Sequence, residues 1–447
     1  MVQTILWFIL LISLLVFIHE LGHFIFAKRA GMLVREFAIG FGPKLVSWFK
    51  GETLYSIRIL PLGGYVRVAG EDPEVFELKT GSHLVLDRDE EGRVVRIRAP
   101  QPSREGSTLP MEPEYGEIDD PTGSDLPGHL PPVTSSIGGK LLEADLEDQL
   151  FIRLEDENGL DTRYRIHPQA LIQYDEKNIS QIAPLNRQYG SKTILQRGLF
   201  IAAGPVFNFF LAVVLLAGLT LATGIGTKVT VKDTVPGSPA EKAGLKPGDT
   251  VREVEGNKVK EFNDISVPLQ EARGDEVTLK VERANQLFET QIEPEKRNNQ
   301  FIIGIQMEQE RRKATISEAS IAGFTKTYDL AVIMGRGISR LVTGQVGMES
   351  LAGPVGIADI TGKAADAGWL NLVHLAALLS LNLGIINILP FPALDGGRLT
   401  FLILEALRGR PIDPNKEGVV HFVGFALLMM LMMVVTYNDI VRVFFKG

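Results

Sequence analysis

Four long runs without charge constrain this chain more than any other feature of its sequence. Residues 198–227, 367–394 and 419–438 contain no Asp, Glu, Lys or Arg over 30, 28 and 20 positions, and residues 1–18 are equally free of charge. A helix of about 20 apolar residues crosses a bilayer, and a helix satisfies its own backbone hydrogen bonds there. The sequence therefore predicts a polytopic α-helical membrane protein with about four transmembrane helices, and it excludes a purely soluble enzyme.

The charges between these runs predict how the chain is oriented. Residues 28–70 hold seven basic and two acidic residues, and the stretch after the third run carries Arg398, Arg408, Arg410 and Lys416. Short loops rich in Lys and Arg stay in the cytoplasm. We therefore expect a multi-pass protein of the cell membrane whose N-terminus lies outside.

The net negative charge of the chain comes from one segment. Residues 71–190 hold 25 acidic and 12 basic residues, whereas the whole chain has a net charge of only −8. The excess charge of the chain is therefore acidic, and nucleic-acid binding gains no support from it. Alternating runs at the two ends of this insert predict a small β-rich module.

A soluble stretch after the second run has a different character. Val235 to Asp249 reads Val-Pro-Gly-Ser-Pro-Ala-Glu-Lys-Ala-Gly-Leu-Lys-Pro-Gly-Asp, which joins a short helix to a tight turn, and strand-like runs follow it. This stretch resembles a PDZ domain of the kind found in bacterial proteases. By the predicted orientation, this α+β domain is extracellular.

The same patterns divide the whole chain into segments. The predicted segments are transmembrane helix 1 (1–27), a cytoplasmic membrane-associated β-sheet (28–70), the acidic cytoplasmic insert (71–190), transmembrane helix 2 (198–224), the PDZ-like domain (225–308), an amphipathic interfacial helix (314–345), transmembrane helix 3 (368–395) and transmembrane helix 4 (419–441).

One motif inside the first run carries chemistry. His19-Glu20-Leu21-Gly22-His23 has the H-E-x-x-H pattern. Positions i and i+4 share one face of a helix, so two imidazoles can bind one zinc ion while Glu20 takes a proton from zinc-bound water. Ionisable residues inside a membrane span are costly and functional by default. A pair of packed histidines, with Glu20 reaching for the interface, is the alternative interpretation.

A zinc site needs a further protein ligand. Cysteine does not occur in the chain, so the ligand must be His, Asp or Glu. Asp395 lies in the segment from Asn387 to Gly397, where Pro390 and Pro392 break the third apolar helix. The predicted topology brings Asp395 and the two histidines to the same side of the membrane, so Asp395 can be the third ligand. An ordinary helix exit with a solvated Asp395 is the alternative.

The two motifs together resemble the site-2 protease family of intramembrane metalloproteases. The similarity extends to the Gly204-to-Phe209 segment of the second span, to the single PDZ-like domain and to the Gly353-to-Ile357 segment. The chain looks most like the Gram-positive type of the regulator-of-sigma-factor proteases. It departs from the proteobacterial pattern, which has two tandem PDZ domains.

The resemblance implies a set of site residues. His19, His23 and Asp395 would be the ligands of Zn²⁺, and Glu20 would be the general base. Asn387 would contact the substrate backbone. Asn208, in the motif of the second span, would help to close the site, with an interhelical hydrogen bond as an equal alternative.

The function that the resemblance implies is that of an intramembrane zinc endopeptidase in regulated intramembrane proteolysis. Its partners would be the lipid bilayer and single-span membrane proteins, such as anti-sigma factors already trimmed by another protease, with remnant signal peptides as a second class. Residues 55–68 could receive the unwound substrate as an added strand, or form a purely structural sheet. The PDZ-like domain would bind or screen ectodomains.

Two other classes of function stay open at this stage. A membrane adaptor would use the same scaffold and recruit partners through the PDZ-like domain. A metal transporter would line a path with His and Asp side chains.

Overall fold

The computed structural model describes residues 2–71, 78–99, 130–156, 158–174, 179–297, 300–347 and 351–445. The chain divides into two units, residues 1–212 with 330–447 and residues 213–329, and each is described by itself.

The secondary structure alternates between long helices and groups of strands. The helices are α1 (Val2–Arg29), α2 (Ile194–Thr223), α3 (Pro239–Lys242), α4 (Asn263–Ala272), α5 (Ile316–Val342), α6 (Pro354–Asp366), α7 (Trp369–Ile388), α8 (Asp395–Arg408) and α9 (Pro414–Ile440). The strands are β1 (Val34–Lys50), β2 (Thr53–Val68), β3 (His83–Arg88), β4 (Val94–Arg98), β5 (Ser135–Asp145), β6 (Phe151–Glu155), β7 (Asp161–Gln173), β8 (Ile179–Gln181), β9 (Ile225–Thr234), β10 (Thr250–Val254), β11 (Asn257–Lys258), β12 (Val277–Arg283), β13 (Gln286–Ile292), β14 (Glu295–Arg297), β15 (Gln300–Ile302) and β16 (Ile305–Arg312). Short 3₁₀ helices at Leu185–Arg187 and Tyr189–Ser191 precede α2, and a π-helical turn at Val441–Phe445 continues α9.

Four helical segments of the described residues are long and apolar enough to cross a membrane. They are Gln3–Arg29, Ile194–Thr223, Trp369–Ile388 and Lys416–Val443. They fit a polytopic membrane protein with β-sheet regions, which is the class that the four charge-free runs predict.

Small residues let three of these helices approach one another closely. The carbonyl oxygen of Ala203 on α2 lies 2.5 Å from the position that a Cβ on Gly22 of α1 would occupy. The carbonyl oxygen of Pro205 lies 3.1 Å from the corresponding position at Gly384 of α7. Because glycine removes the side chain that would separate two membrane helices, α1 and α7 both pack against one turn of α2.

The strands β1 and β2 are long and bend back on themselves. Residues 36–39 of β1 pair with residues 54–57 and also with residues 64–67 of β2, and residues 44–50 pair with residues 53–58. The two strands therefore make a sheet four segments wide, in which residues 64–68 form one edge. Exposed apolar side chains cluster near the bends, at Phe41, Leu45, Val46, Ile59 and Leu60.

A buried carboxylate stabilises this sheet. Glu36 accepts hydrogen bonds from the Ser56 hydroxyl at 2.7 Å and from the Arg58 guanidinium at 2.8 Å. Burial alone would raise the pKa of Glu36, but the bonds from Arg58 and Ser56 outweigh it and hold the pKa below its usual range.

A second carboxylate ties three parts of this unit together. Glu52, in the turn between β1 and β2, accepts hydrogen bonds from Lys28 at the end of α1 (2.9 Å) and from both terminal nitrogens of Arg187 (2.6 Å). Burial opposes ionisation, yet the bonds from Arg187 and Lys28 lower the pKa of Glu52 to about 2. The end of α1, this turn and the segment before α2 are therefore held at one point.

The strands within the range of the acidic insert form a barrel-like sheet. Their order is β4-β3-β5-β6-β7-β8, and a parallel pairing between β4 and β7 closes five of them into a ring. The interior is apolar and includes Leu84, Leu86, Ile97, Leu141, Ile152 and Ile172.

The second unit has its own apolar core. Its sheet has the order β13-β12-β10-β9-β16, with β11 paired to β10. The helices α3 and α4 contribute Ala240, Ile265 and Leu269 to a core that also contains Val229, Val251 and Leu279. In this unit the start of α5 packs on the end of α2, where the Val213 carbonyl lies 2.6 Å from the Cβ position of Gly323.

The predicted third span, residues 368–395, needs a correction at its C-terminal end. The helix α7 ends at Ile388, and Asp395 is the first residue of a new helix, α8, inside the range predicted as a loop. The physical reason is the pair Pro390 and Pro392, which cannot continue the hydrogen-bond ladder of α7. The chain then turns so tightly that the Leu389 carbonyl oxygen lies 2.1 Å from the Cβ position of Gly396.

Candidate metal centre

The helix α1 presents three ionisable side chains within one helical turn. His19, Glu20 and His23 are buried, with only 7–8% of each residue exposed. The two histidine rings meet edge to face with centroids 4.9 Å apart, and their Nε2 atoms are 3.3 Å apart. The i, i+4 spacing on one helix thus brings two imidazole nitrogens to a single point.

Asp395 joins the two histidines from the start of α8. Its Oδ2 lies 3.2 Å from His19 Nε2 and 3.5 Å from His23 Nε2. Within the described residues, these three are the group of His, Asp and Glu side chains whose ligand atoms lie close enough together to share one ion. The tight turn after α7 makes this possible, because it returns the chain towards α1.

The three distances fit a tetrahedral zinc ion. Two ligand atoms at about 2.1 Å from zinc, separated by a tetrahedral angle, are roughly 3.4 Å apart. The observed separations of 3.2, 3.3 and 3.5 Å agree with that value. Two nitrogens and one oxygen are also a donor set that zinc accepts in catalytic sites, with the fourth position left open.

Gly204 of α2 leaves space beside the imidazole nitrogens that would bind the metal. A Cβ on Gly204 of α2 would lie 2.2 Å from His23 Nε2 and 2.7 Å from His19 Cε1. A side chain at this position would collide with the ligand atoms, so only glycine allows α2 to pass directly beside them.

The Nδ1 atom of each histidine, on the ring edge away from the proposed metal, contacts α2. The Nδ1 of His23 lies 2.8 Å from the carbonyl oxygen of Phe200. A carbonyl can only accept, so Nδ1 carries the proton and Nε2 is left with a free lone pair. Metal-binding histidines are usually fixed in this way through their other ring nitrogen.

Asn208, also on α2, contacts the other ring nitrogen of His19. Asn208 is fully buried, and its Nδ2 lies 3.0 Å from His19 Nδ1, while its Oδ1 finds no hydrogen-bond partner among the described residues. The amide oxygen and nitrogen of Asn208 have nearly the same shape, and exchanging them lets His19 Nδ1–H donate to Oδ1. That orientation pairs Oδ1 with the Nδ1–H of His19 and leaves Nε2 of His19 free on the side of Asp395.

The two remaining predicted residues lie at the same place. The Asn387 amide nitrogen, near the end of α7, is 3.5 Å from His19 Nε2. The side chain of Glu20 borders the sheet, because its Cγ lies 2.9 Å from the Cβ position of Gly64 on β2. Four of the residues singled out from the sequence therefore contact His19, and Glu20 follows it in the chain; the four are His23, Asn208, Asn387 and Asp395.

Ion pairs anchor α8, which carries Asp395. Arg398 pairs with Glu71, just after β2, and Glu405 receives hydrogen bonds from Arg197 of α2 at 2.5 and 3.1 Å. These contacts join α8 to α2 near its end and to the chain that leaves the sheet near its start, and so they hold the helix in place.

Sequence reasoning missed two parts of this site. The carbonyl of Phe200 has no sequence signal, because every residue carries a backbone carbonyl. Gly204 stands inside a motif that was noticed, but its role depends on which helix faces the histidines, and only the packing of α2 against α1 reveals that.

An H-E-x-x-H turn inside an apolar helix, completed by a carboxylate from a second helical region, defines a class of protein: a membrane zinc metalloprotease. Comparison with known proteins agrees with this class. The profile of peptidase family M50 matches residues 7–431, and the chain belongs to this family, the site-2 proteases.

Relatives that match over the full length carry consistent names. The zinc metalloprotease RasP of Oceanobacillus iheyensis is 40% identical, with 99% of each chain covered. The regulator of sigma-W protease RasP of Bacillus subtilis is likewise 40% identical, with 99% of each covered. The probable protease eep of Enterococcus faecalis is 36% identical, with 99% of this chain and 100% of the relative covered. The predicted family, the predicted zinc metalloprotease activity and the predicted Zn²⁺ cofactor are confirmed.

Proposed function

We propose that this chain cuts the transmembrane segments of single-span membrane proteins within the bilayer, with His19, His23 and Asp395 as its zinc ligands. One observation carries the proposal: the three ligand atoms lie no more than 3.5 Å apart inside a set of apolar helices. Burying three ionisable groups there is costly unless a cation compensates them.

The chemistry divides between the ion and Glu20. Zinc, when bound, polarises the scissile carbonyl and lowers the pKa of water at the site. Glu20 follows His19 directly and is buried beside it, so its carboxylate takes the proton from the attacking water and returns it to the leaving amine. Phe200 and Asn208 keep both imidazoles in the tautomer that binds metal.

Two asparagines border the reacting groups. Asn387 lies on the metal side of His19, which supports the predicted contact between its amide and the substrate backbone. For Asn208 the contact with His19 Nδ1 supports a positioning role, and a contact with substrate stays a prediction.

The substrate is proposed to unwind and to pair with the sheet formed by β1 and β2. A helical substrate hides its peptide bonds, and an added strand replaces the hydrogen bonds that it loses on unwinding. Residues 64–67 pair with residues 36–39 on one side, and Gly64 lies beside Glu20. A strand added along this edge would pass the catalytic carboxylate.

The orientation follows from the charges of the loops. The excess of Lys and Arg in residues 28–70 supports a cytoplasmic position for them. We infer that the N-terminus and residues 225–308 lie outside, that residues 28–196 and 396–418 lie in the cytoplasm, and that the active site faces the cytoplasmic side.

The second unit is proposed to be a PDZ-like domain that screens ectodomains. Its strand order, its helix α4 and the Ser238 cap of α3 support the likeness to PDZ domains that the sequence indicates. A folded domain outside the membrane would exclude bulky substrates by size.

The substrates are proposed from a relative. The Bacillus subtilis protein is named a regulator of sigma-W protease, which supports pre-trimmed anti-sigma factors as substrates of this chain. Remnant signal peptides are proposed as a second class on the family resemblance.

Metal content and cleavage, measured on the same detergent-purified sample, test this function. We expect about one zinc ion per chain, cleavage of a single-span substrate within its transmembrane segment, and loss of both in Asp395→Asn. If the chain were a membrane adaptor, the purified protein would be folded but would contain no zinc and cleave no substrate. A metal transporter would carry zinc into proteoliposomes without cutting any substrate, and either result would overturn the proposal.

A further inference from the structure

The loop that delivers Asp395 has a demanding backbone conformation. Between α7 and α8, Ala393 has a φ of 74°, two residues before Asp395. Residues with a Cβ rarely adopt this left-handed region, and such positions persist where surrounding contacts enforce them. The position of Asp395 therefore depends on whatever holds Ala393.

The holding contact comes from α9. The backbone N–H of Ala393 donates to Nδ1 of His421 at 2.8 Å. The ring of His421 is buried for the most part, with 18% of the side chain exposed, and packs against Phe401 at a centroid distance of 5.5 Å. An Nδ1 that accepts must be unprotonated, so the ring proton sits on Nε2. The Glu417 carboxylate, one turn earlier on α9 and 3.6 Å from Nε2, favours that tautomer.

A second contact, between Gly424 on the same face of α9 and Pro392, also holds the loop. Gly424 lies one turn beyond His421, so the two residues face the same neighbour. A Cβ on Gly424 would lie 2.4 Å from Pro392 Cβ and 2.6 Å from the Pro392 carbonyl oxygen. The loop thus rests directly against the backbone of α9, with His421 at one end of the contact.

We propose that His421 is a positioning residue of the metal centre: by accepting the Ala393 N–H it locks the loop in the conformation that brings Asp395 to His19 and His23. The inference rests on the proposed role of Asp395 as a zinc ligand. If this is so, zinc affinity depends on the contact between α9 and the loop. That contact is then part of the metal centre, although α9 contributes none of the proposed ligands.

The test uses two substitutions at His421 that both introduce an amide but differ in the length of the side chain. In His421→Asn the amide oxygen stands near the place of Nδ1, and in His421→Gln it stands near that of Nε2. We expect His421→Asn to keep zinc affinity within a few fold of the parent. We expect His421→Gln to lower it about 10- to 100-fold, the usual effect of losing a group that orients a metal ligand. The readout is competition with a zinc chelator, together with the visible absorption spectrum of the cobalt-substituted protein.

A second change asks whether the loop itself is the target. Glycine adopts positive φ values freely. With Ala393→Gly, the loop should therefore depend less on the hydrogen bond from residue 393 to His421. Added to His421→Gln, this change should recover most of the lost zinc affinity. A role of His421 in general packing would not be rescued by a change in the loop.

The outcomes separate this inference from the proposed function. If Asp395→Asn binds zinc as tightly as the parent, the ligand set itself is wrong. If Asp395→Asn loses zinc but His421→Gln does not, only the positioning role fails. Equal losses in His421→Asn and His421→Gln, without rescue by Ala393→Gly, also overturn the positioning role.

Discussion

At the scale of single residues, zinc binding depends on the space beside His19 and His23. Gly204→Ala would place a methyl group 2.2 Å from His23 Nε2. We expect this variant to lose roughly 100-fold in zinc affinity, the upper end of what disturbing the groups around a metal ligand costs, because the ligand atoms cannot all keep their places, and we expect cleavage to be lost with it. Metal content after dialysis against a chelator measures the effect.

Gly218→Ala is the matched control for this change. It lies on the same helix α2 and has open space around its Cβ position, so we expect parental zinc content. If Gly204→Ala also retains zinc like the control, the metal does not sit between His19, His23 and Asp395.

At this scale the candidate ligands could be predicted from the sequence, whereas the residues that hold them in place could not. The His19-to-His23 motif and Asp395 are side chains whose type states what they can bind. The contact of His421 with Ala393 was missed because His421 shows no ligand spacing with other His residues in the sequence.

At the scale of elements, long uniform helices were predictable and short mixed ones were not. The charge-free runs give α1, α2, α7 and α9 because bilayer thickness demands about 20 apolar residues. The helix α8 has only 14 residues, and charged residues stand near both of its ends, so its sequence lacks the long apolar signal of a membrane helix. The parallel pairing of β4 with β7 joins strands far apart in sequence, and no local pattern encodes such a partner.

The Glu52 contact predicts a pH-dependent stability. The pKa of Glu52 is lowered from 4.5 to about 2, so its carboxylate stabilises the fold above about pH 4.5, and that contribution disappears as the pH falls towards 2. We expect Glu52→Gln to lower the unfolding free energy at pH 7 by roughly 2 kcal/mol, after allowance for solvent screening. The difference from the parent should shrink below pH 4.5.

Thermal melting of both proteins across that pH range measures the effect. Glu90→Gln, in the exposed turn after β3, is the control and should melt like the parent. A Glu52→Gln deficit that stays constant down to pH 2 would show that ionisation of Glu52 is not what joins these elements.

At the scale of the whole molecule, the proposed orientation places the exposed positions Asn257 and Gly92 on opposite sides of the membrane. Reporter fusions that are active only outside or only in the cytoplasm should therefore give opposite signals at these two sites, because α2 carries the chain across between them. Matching signals at both sites would contradict the proposed topology.

Size screening by the second unit predicts a change in selectivity without a change in chemistry. Every proposed ligand lies outside residues 213–329, and that unit has a core of its own. Deleting residues 228–308 should let untrimmed substrates be cut, while trimmed substrates are cut within about twofold of the parental rate, because exclusion acts on access and not on the transition state. Slower cleavage of trimmed substrates, through weaker apparent affinity, would instead indicate peptide binding.

The most direct test of the account is a single-turnover cleavage assay of Glu20→Gln on a trimmed single-span substrate, with zinc content measured on the same sample. Gln is nearly isosteric with Glu but cannot accept the proton, and the three ligands are untouched. We predict about one zinc ion per chain, as in the parent, and a cleavage rate lowered by at least 10³-fold, in the range that general-base catalysis supplies. Parental zinc content with near-parental cleavage would contradict the account, because the base would then be a residue other than Glu20.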